Sequence, residues 1–588
     1  MDETKGFDAD ILVVGLGPMG ATTALALAQY GVRVHAISRQ PWVADTPRAH
    51  ITNLRAVEVL RNLGVEEQIT REATPWESMG DTLFTTSLTG PEIVRMRTWG
   101  TGDDRYGDYI RSSPCTMLDI PQSLVEPILV GAAARDGATI SFNTEYLSSM
   151  QDHDGVNVTL RDRISGLEYV QRVRYLVGAD GARSRVMQDA GLAVEGELAR
   201  AGTVYAQFRG DLSQHVAHRP SILNWIINSD AAVGEIGLGL LRAVRPWDTW
   251  IAGWGFDIAK GDPDVSVETA IARIREYVGD PDFEPEVTSV APWYVNEAFA
   301  PVLSNGRIFC GGDATHRHPP SSGLGSNTCI QDAFNLSWKL AFVVHGDASP
   351  ALLESYSAER APVGQQVVAR ANQSRRDYAP LRGALAQTAG GVSGIGKVRA
   401  ATAEGAAARA ALAAAVDLKQ YEFNAQGIEM NHRYESGAVI PDVDQQPEHW
   451  QRDRDLYVQA TTRPGAKLPH VWLVDAAGRR ISTLDVVKGL FLTLLTGPTG
   501  TVWAEAVSEL DHPRLRTITI GDPDTQDLYF EWQRAREVDE AGAVLVRPDG
   551  VVAWRAASAP TDVAGARAQL GGVISRLLGK APVLEALR

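Results

Sequence analysis

Two stretches of this chain combine residue types and spacing that could do chemistry. The first, Gly15-Leu-Gly17-Pro18-Met19-Gly20, fits GxGxxG. Its glycines allow a tight turn, close backbone approach to a pyrophosphate, and a helix pressed against a strand. It follows the apolar run 10–14 and opens a stretch with Ala and Leu at helical spacing over 22–30, and 32–37 then alternates as a second strand. Such a βαβ unit turns a helix N-terminus, with free N–H groups and a positive dipole end, toward phosphate. One element departs from the pattern. The acid that usually ends the second strand and bonds ribose hydroxyls is replaced by Ser38, followed by Arg39. Ser38 offers only a neutral hydrogen bond, weaker than a charge-assisted one. This fingerprint therefore predicts a dinucleotide without saying which.

The second stretch, 306–327, ends a strand in Asp313 and continues through a loop holding Pro320, Gly323 and Gly325 into a helix over about 326–343. Asp313 can hold a sugar or ribityl hydroxyl, while the N–H groups of Gly325, Ser326 and Asn327 form an anion-stabilising end. That combination suits the N1–C2 carbonyl edge of a reduced flavin, and it turns the dinucleotide into FAD. Between the two, 175–178 reads as a strand ending in the turn Asp180-Gly181.

The elements that must position these residues are spread over a long chain. At 588 residues one hydrophobic core does not suffice, and two to four domains are expected. From about 76 to 115 and 203 to 295, aromatic residues and strand-like runs suit a β-sheet that interrupts the nucleotide domain. Residues 51–64 read as an amphipathic helix stopped by Gly64. The stretch 390–396 is glycine-rich but follows no clear strand, so it reads as a flexible loop before an Ala-rich helix. Residues 430–588 carry their own strands and turns, as a separate α/β unit would.

Composition excludes several function classes. The net charge of −16 argues against nucleic acid, whose binding draws on Lys and Arg. No stretch approaches the roughly 18 apolar residues of a membrane helix, and the polar, acidic start is no signal peptide. A cytoplasmic protein with no membrane partner is the expectation. Cys115, Cys310 and Cys329 have no CxxC or metal-ligand spacing, so reduced thiols are expected. His316 and His318 form an HxH pair, but no third ligand accompanies them and no metal is expected.

The order GxGxxG, then Asp180-Gly181, then Gly312-Asp313 resembles the class A FAD-dependent aromatic hydroxylases, and the resemblance runs the length of the chain. Pro47-Arg48-Ala-His50-Ile-Thr-Asn53, Asp119-Ile-Pro-Gln122, Arg245-Pro-Trp247 and the 313–332 block are similar to the phenol-hydroxylating branch. The resemblance implies an α/β fold: a para-hydroxybenzoate-hydroxylase-like FAD-binding domain (1–75, 116–202 and 296–380) with an inserted β-sheet substrate domain (76–115 and 203–295). A helical linker (381–429) and a C-terminal thioredoxin-like domain (430–588) follow. Segments 461–465 and 480–485 are similar to that appended domain, but no cysteine follows Cys329, which excludes thiol–disulfide chemistry there. A structural or oligomerising role remains, with a homodimer or higher homo-oligomer expected.

The same resemblance implies that NADH or NADPH reduces FAD without a Rossmann domain of its own. Reduced FAD then meets O2 to give a C4a-hydroperoxide that hydroxylates a small aromatic substrate, a phenol or a hydroxypyridine-like ring, ortho to an existing hydroxyl. The hard chemistry belongs to the cofactor; the protein supplies orientation, dryness and a base. Electrophilic attack is far easier on a phenolate than on a phenol, and histidine titrates in the right range to take the proton. His50 occupies the position of the branch's active-site histidine; its alternative reading is a helix-entry residue. Asp119 orients or charge-balances that histidine, caps the helix beginning at Ile120-Pro121, or does both. Trp225 and Arg242 match pocket positions, as a wall for the ring and a countercharge for phenolate or nicotinamide-cofactor phosphate, or else are sheet core and surface. Arg48 is assigned to the flavin or its reductant, Met19, Arg39, Gln122 and Asp180 are assigned to the cofactor, and Pro320 sits over the flavin ring. Two other readings are a catalytically silent FAD protein that sequesters an aromatic compound and a flavin-dependent halogenase. The sequence shows no WxWxIP-type segment for the latter, and only eight lysines.

Overall fold

In the computed structural model, which describes residues 6–46, 49–228, 233–388 and 391–580, the strand Ala9–Val14 is buried along its whole length. Flat apolar burial of this kind belongs to the centre of a parallel sheet covered on both faces. The strand pairs in parallel with Val34–Ile37 on one side and Glu168–Gly178 on the other, and the latter pairs in parallel with Ile308–Cys310. Helix Pro18–Gln29 packs between helices Gln122–Arg135 and Gly325–Val344. Two glycines at its start, Gly15 and Gly20, govern the approach. A Cβ on Gly15 (φ +108°) would lie 2.2 Å from the Ala179 carbonyl oxygen, and one on Gly20 would lie 1.9 Å from the Gly15 oxygen.

A second eight-stranded sheet runs in the order His316–Arg317, Glu286–Phe299, Glu195–Arg209, Thr249–Phe256, Gly239–Arg245, Leu223–Ile226, Asp81–Thr85, Glu92–Arg97. Its last long-sheet neighbour, His316–Arg317, comes from the loop after Asp313, so the two sheets meet at that loop. The chain 492–577 forms a four-stranded sheet, Leu515–Thr519, Leu492–Thr496, Ala543–Val546, Val552–Ala556, parallel in its first pair and antiparallel in the rest. Helices Thr501–Leu510 and Val563–Leu577 pack together on it. Trp503 and Trp554 from this unit share one continuous core with the strand Ala9–Val14.

Two expected elements differ. Residues 51–64 do not form one helix: Ile51–Thr52 is a short strand antiparallel to Leu118–Asp119, and the helix Leu54–Asn62 begins after it. Two β-branched residues favour the extended pairing, and the Asn53 side chain accepts from Ala56 N–H, which fixes the helix start there. The glycine-rich stretch is ordered rather than a loose loop. Gly390 lies outside the described residues, but Gly391–Val392 pairs with Gln387–Thr388 and Gly394–Arg399 is helical.

After the Ala-rich helix Ala403–Asp417, the chain folds back over the loop 321–325. Ala425 and Ile428 pack with Leu324, Val363 and Val367. Glu429 is buried in this return segment with Oε2 unpartnered; burial pushes its pKa up to about 8, with Arg105 pulling weakly the other way. The folded pKa lies above the unfolded one, so the native state keeps a proton the unfolded chain has lost. The resulting stability is complete below pH ~4 and disappears as pH rises through about 8. Glu429→Gln is expected to match the parent near pH 5 and to be more stable by about 3 kcal/mol near pH 7, read as melting temperature against pH. An equal difference at both pH values would rule this out.

Candidate active site

The three motif-bearing strands end level with one another. Val14 is in register with Gly178 and with Ile37, and Gly178 is in register with Cys310. Gly15, Asp180, Ser38 and Asp313 therefore emerge at one carboxyl edge, where open α/β sheets bind ligands. Helix Pro18–Gln29 starts at Gly17 with Pro18 in its first turn and no side-chain cap. Its first N–H groups thus remain available for phosphate. The close Cβ approaches at Gly15 and Gly20 and the uncapped helix end fit the diphosphate of a dinucleotide.

Several predicted residues sit at this edge but spend their side chains elsewhere. Met19 turns inward: its Cε would lie 2.5 Å from a Cβ on Gly311, so only its backbone can face a cofactor. The Asp180 carboxylate accepts from Ser184 Oγ (2.5 Å) and Arg185 N (2.7 Å), which braces the start of the helix Arg185–Asp189 behind its cap, Ser184. Ser38 Oγ accepts from Gln40 N at 3.2 Å, and Arg39 is exposed. Gln122, the first residue of its helix, donates to Glu126 Oε1 at 2.5 Å. Arg48 lies outside the described residues.

The second edge element is the loop from Asp313 to Gly325. Asp313 is exposed, and Gly312 before it adopts φ +64°. Pro320 is exposed at the start of the turn Ser321–Gly323, where its carbonyl accepts from Gly323 N at 3.0 Å. Ser322 takes a left-handed φ of +67° and hydrogen-bonds Ser374 Oγ at 2.9 Å. Helix Gly325–Val344 opens without a side-chain cap, which leaves the N–H groups of Gly325 and Ser326 outward. This end fits an anionic flavin edge. The Asn327 side chain is a staple. Its Nδ2 donates to the carbonyls of Ile51 (2.8 Å) and Gly323 (2.5 Å), and its Oδ1 accepts from Asn53 N (2.9 Å). The staple binds the segment carrying His50 directly to the flavin loop. His318 donates from Nδ1 to the Pro319 carbonyl at 2.8 Å; burial, with neighbouring His316, pushes its pKa down to about 4. The ring is therefore neutral at working pH, with Nε2 as its acceptor nitrogen.

His50 is buried, and its carbonyl accepts from Ile120 N at 2.8 Å. Since Ile51 pairs with Asp119, the short two-stranded ladder brings His50 and Asp119 to the same place. Asp119 caps no helix: the helix Gln122–Arg135 starts after Pro121. Its Oδ1 accepts instead from Arg242 Nη2, so two residues read independently from the sequence form one buried ion pair. Burial raises the Asp119 pKa, and the Arg242 guanidinium opposes that rise without cancelling it. Arg242 is in register with Leu223, and Trp225 with Leu240, so all four share one face of the large sheet. Trp225 is buried, with Nε1 unpartnered, and packs on Tyr378 at 4.8 Å between ring centroids.

Residues that local reasoning missed complete the surroundings. Glu126 is buried, accepts from Ala44 N at 2.7 Å, and would lie 3.7 Å from a Cβ on Gly17. Its spacing of four residues from Gln122 on one helix face was a usable signal. Tyr205 lies across Gly253 on the same sheet face as Trp225 and Leu240. Lys419, fully buried, stands 3.3 Å above the Tyr378 ring and donates to the Ser374 carbonyl at 2.7 Å. Among the described residues, no group of three or more His, Cys, Asp or Glu could hold a metal, and no helix is long and apolar enough to cross a membrane.

Comparison with known proteins agrees with this geometry. Residues 8–371 match the FAD binding domain family, and 461–581 match the family described as aromatic-ring hydroxylase, C-terminal. The chain is 44% identical to a 2,4-dichlorophenol 6-monooxygenase of Cupriavidus pinatubonensis, covering 97% of both chains. It is also 44% identical to a phenol 2-monooxygenase of a Pseudomonas species, covering 95% of this chain and 92% of that one. Among solved structures, the flavin-dependent monooxygenase PieE in complex with FAD and substrate superposes with a TM-score of 0.92 at 40% identity, over 98% of this chain and all of that one.

Proposed function

The chain belongs to the FAD-dependent aromatic-ring hydroxylases, and from that premise we propose that it hydroxylates a phenolic ring ortho to a hydroxyl already present. It is an oxidoreductase that uses FAD, takes electrons from NADH or NADPH, and consumes O2. Identity to monooxygenases over nearly the whole chain does not favour the sequestering and halogenase readings.

One observation carries the proposal: Asn327 fastens the His50 segment to the flavin loop while the Ile51–Asp119 ladder next to His50 delivers Arg242 to the same region. Bound FAD, once reduced, supplies the oxygen-activating chemistry. The chain's own residues supply the rest. Gly15, Gly17, Pro18 and Gly20 admit the diphosphate, with Met19 contributing backbone only. Asp313 takes a hydroxyl of the cofactor chain, and the N–H groups of Gly325 and Ser326 face its anionic edge, beside Gly323 and Pro320. His50 receives the phenolic proton on an imidazole nitrogen. Arg242, held by Asp119, offers countercharge to the phenolate, and Trp225 with Tyr378 behind it walls the ring. Asp119 thus acts on the substrate through Arg242 more than through His50.

The reading of 430–588 as a thioredoxin-like unit without a thiol pair rests on its four-stranded sheet, one parallel pair followed by antiparallel strands, with the helices Thr501–Leu510 and Val563–Leu577 packed on it, and a homodimer or higher homo-oligomer belongs to the same proposal. The test is direct. Purified protein is expected to be yellow, and its oxidation of NADH or NADPH is expected to accelerate when a phenol is added, with a catechol as product. No acceleration across a panel of phenols and hydroxypyridines would remove the proposal.

A further inference from the structure

The carboxylate of Asp332, 1% exposed and two turns into the helix Gly325–Val344, organises the flavin loop from behind. Its Oδ2 accepts from Gly312 N at 3.1 Å and lies 3.0 Å from His316 Nε2, so one oxygen grips both ends of the turn that presents Asp313. Its Oδ1 accepts from Arg360 Nε at 2.6 Å. Burial pushes this carboxyl up, but Arg360 and His316 outweigh burial and hold it below the usual range. Arg360 is itself fully buried. Among the described residues it has one partner beyond Asp332: its Nη1 donates to the Tyr434 hydroxyl at 2.8 Å, while Nη2 has none there. Tyr434 enters from the C-terminal part of the chain, where its N–H is fixed to the Gly465 carbonyl at 2.9 Å. The neighbouring helix residue, Glu359, meets a different group from that part: Ser436 Oγ at 2.6 Å and Arg547 at 2.6 Å, together with Lys339 at 2.8 Å.

We propose that Tyr434 is a positioning residue for the flavin loop: it keeps the Arg360 guanidinium seated on Asp332, and Asp332 in turn fixes Gly312, Asp313 and the His316–Pro320 stretch against the cofactor. The inference rests on the reading of the Asp313 loop as flavin-facing. It gives the C-terminal part of the chain a task in tuning the cofactor beyond covering a core. Without the phenolic oxygen, Arg360 has two unsatisfied nitrogens in a dry interior, and a charged donor without a partner there rearranges toward any acceptor it can reach. Asp332 moves with it, and the turn that Asp332 grips loosens.

The experiment compares holoproteins carrying Tyr434→Phe and Ser436→Ala. Both remove one hydroxyl from the same segment, but the first faces Arg360 and the second faces Glu359. Tyr434→Phe is expected to weaken FAD binding about tenfold, roughly the worth of one charge-assisted hydrogen bond, and to displace the flavin midpoint potential and visible spectrum. Ser436→Ala is expected to lower the melting temperature and leave FAD affinity and potential alone. Unchanged affinity and potential in Tyr434→Phe, or an equal change in Ser436→Ala, would overturn the proposal. Asp313→Asn separates the premise from the inference. If it leaves FAD affinity untouched, the reading of the loop falls and the proposal with it. If it weakens FAD while Tyr434→Phe stays silent, only the proposal falls.

Discussion

Replacing His50 by alanine is expected to leave a yellow, folded protein whose hydroxylation rate at pH 7 falls about a thousandfold and recovers about tenfold with each pH unit above that. The size follows from the substrate's own ionisation. A phenol with a pKa near 10 is ionised to only about one part in a thousand at pH 7, and a positioned base removes that penalty, within the range of roughly 10²–10⁴ that general base catalysis supplies. The group is placed for this task by backbone, not by chance contact. Its carbonyl is held by Ile120 N, the next residue pairs with Asp119, and Asn327 ties the same segment to the flavin loop. FAD retention is expected because the diphosphate and flavin-edge groups lie on other elements. The measurement is the ratio of parent to variant rates from pH 6.5 to 9.5 under saturating phenol. A ratio that does not change with pH would take His50 out of proton transfer, whatever the size of the loss.

The parts of this site that were legible beforehand are those that short stretches of chain determine by themselves. Gly15 and Gly20 are needed because the backbone has no room for a Cβ, and that need is written in neighbouring positions of one short motif. The loop from Asp313 to Gly325 is legible for the same reason. What escaped was the use made of side chains whose partners lie far along the chain. The Asn327 N–H is legible at the helix start, but the use of its side chain to hold Ile51, Asn53 and Gly323 is not. Met19 lies within the fingerprint, but its side chain packs against Gly311. Each of these residues has a local pattern compatible with two roles, and only the register of the sheet decides between them. The pairing of Ile51–Thr52 with Leu118–Asp119 has no periodic signal at all, because two residues are too few to show one. Yet that ladder brings His50, Asp119 and, through Asp119, Arg242 into one place.

The ion pair of Asp119 with Arg242 spans 123 residues of sequence and allows stability and catalysis to be separated. Asp119 is 1% exposed, so Arg242→Met strands a carboxylate in a dry interior, and breaking one half of such a pair costs about 3–5 kcal/mol. The loss depends on pH in a definite direction. Asp119 already titrates above its unfolded value, so its contribution is complete below the usual carboxylate range and is lost as pH rises through the folded value. Removing the opposing Arg242 charge raises the folded value further. Arg242→Met is therefore expected to be close to the parent at pH 4.5 and clearly less stable at pH 8. The double variant Asp119→Leu with Arg242→Met should regain much of the lost stability, since a buried pair replaced by apolar groups of similar volume is often no less stable than the pair. Its activity should not return, because no cation then faces the phenolate. Thermal melts at the two pH values, read beside phenol turnover, distinguish the outcomes. If turnover recovers along with stability, Arg242 is a strut for the sheet and the countercharge must come from elsewhere in the pocket.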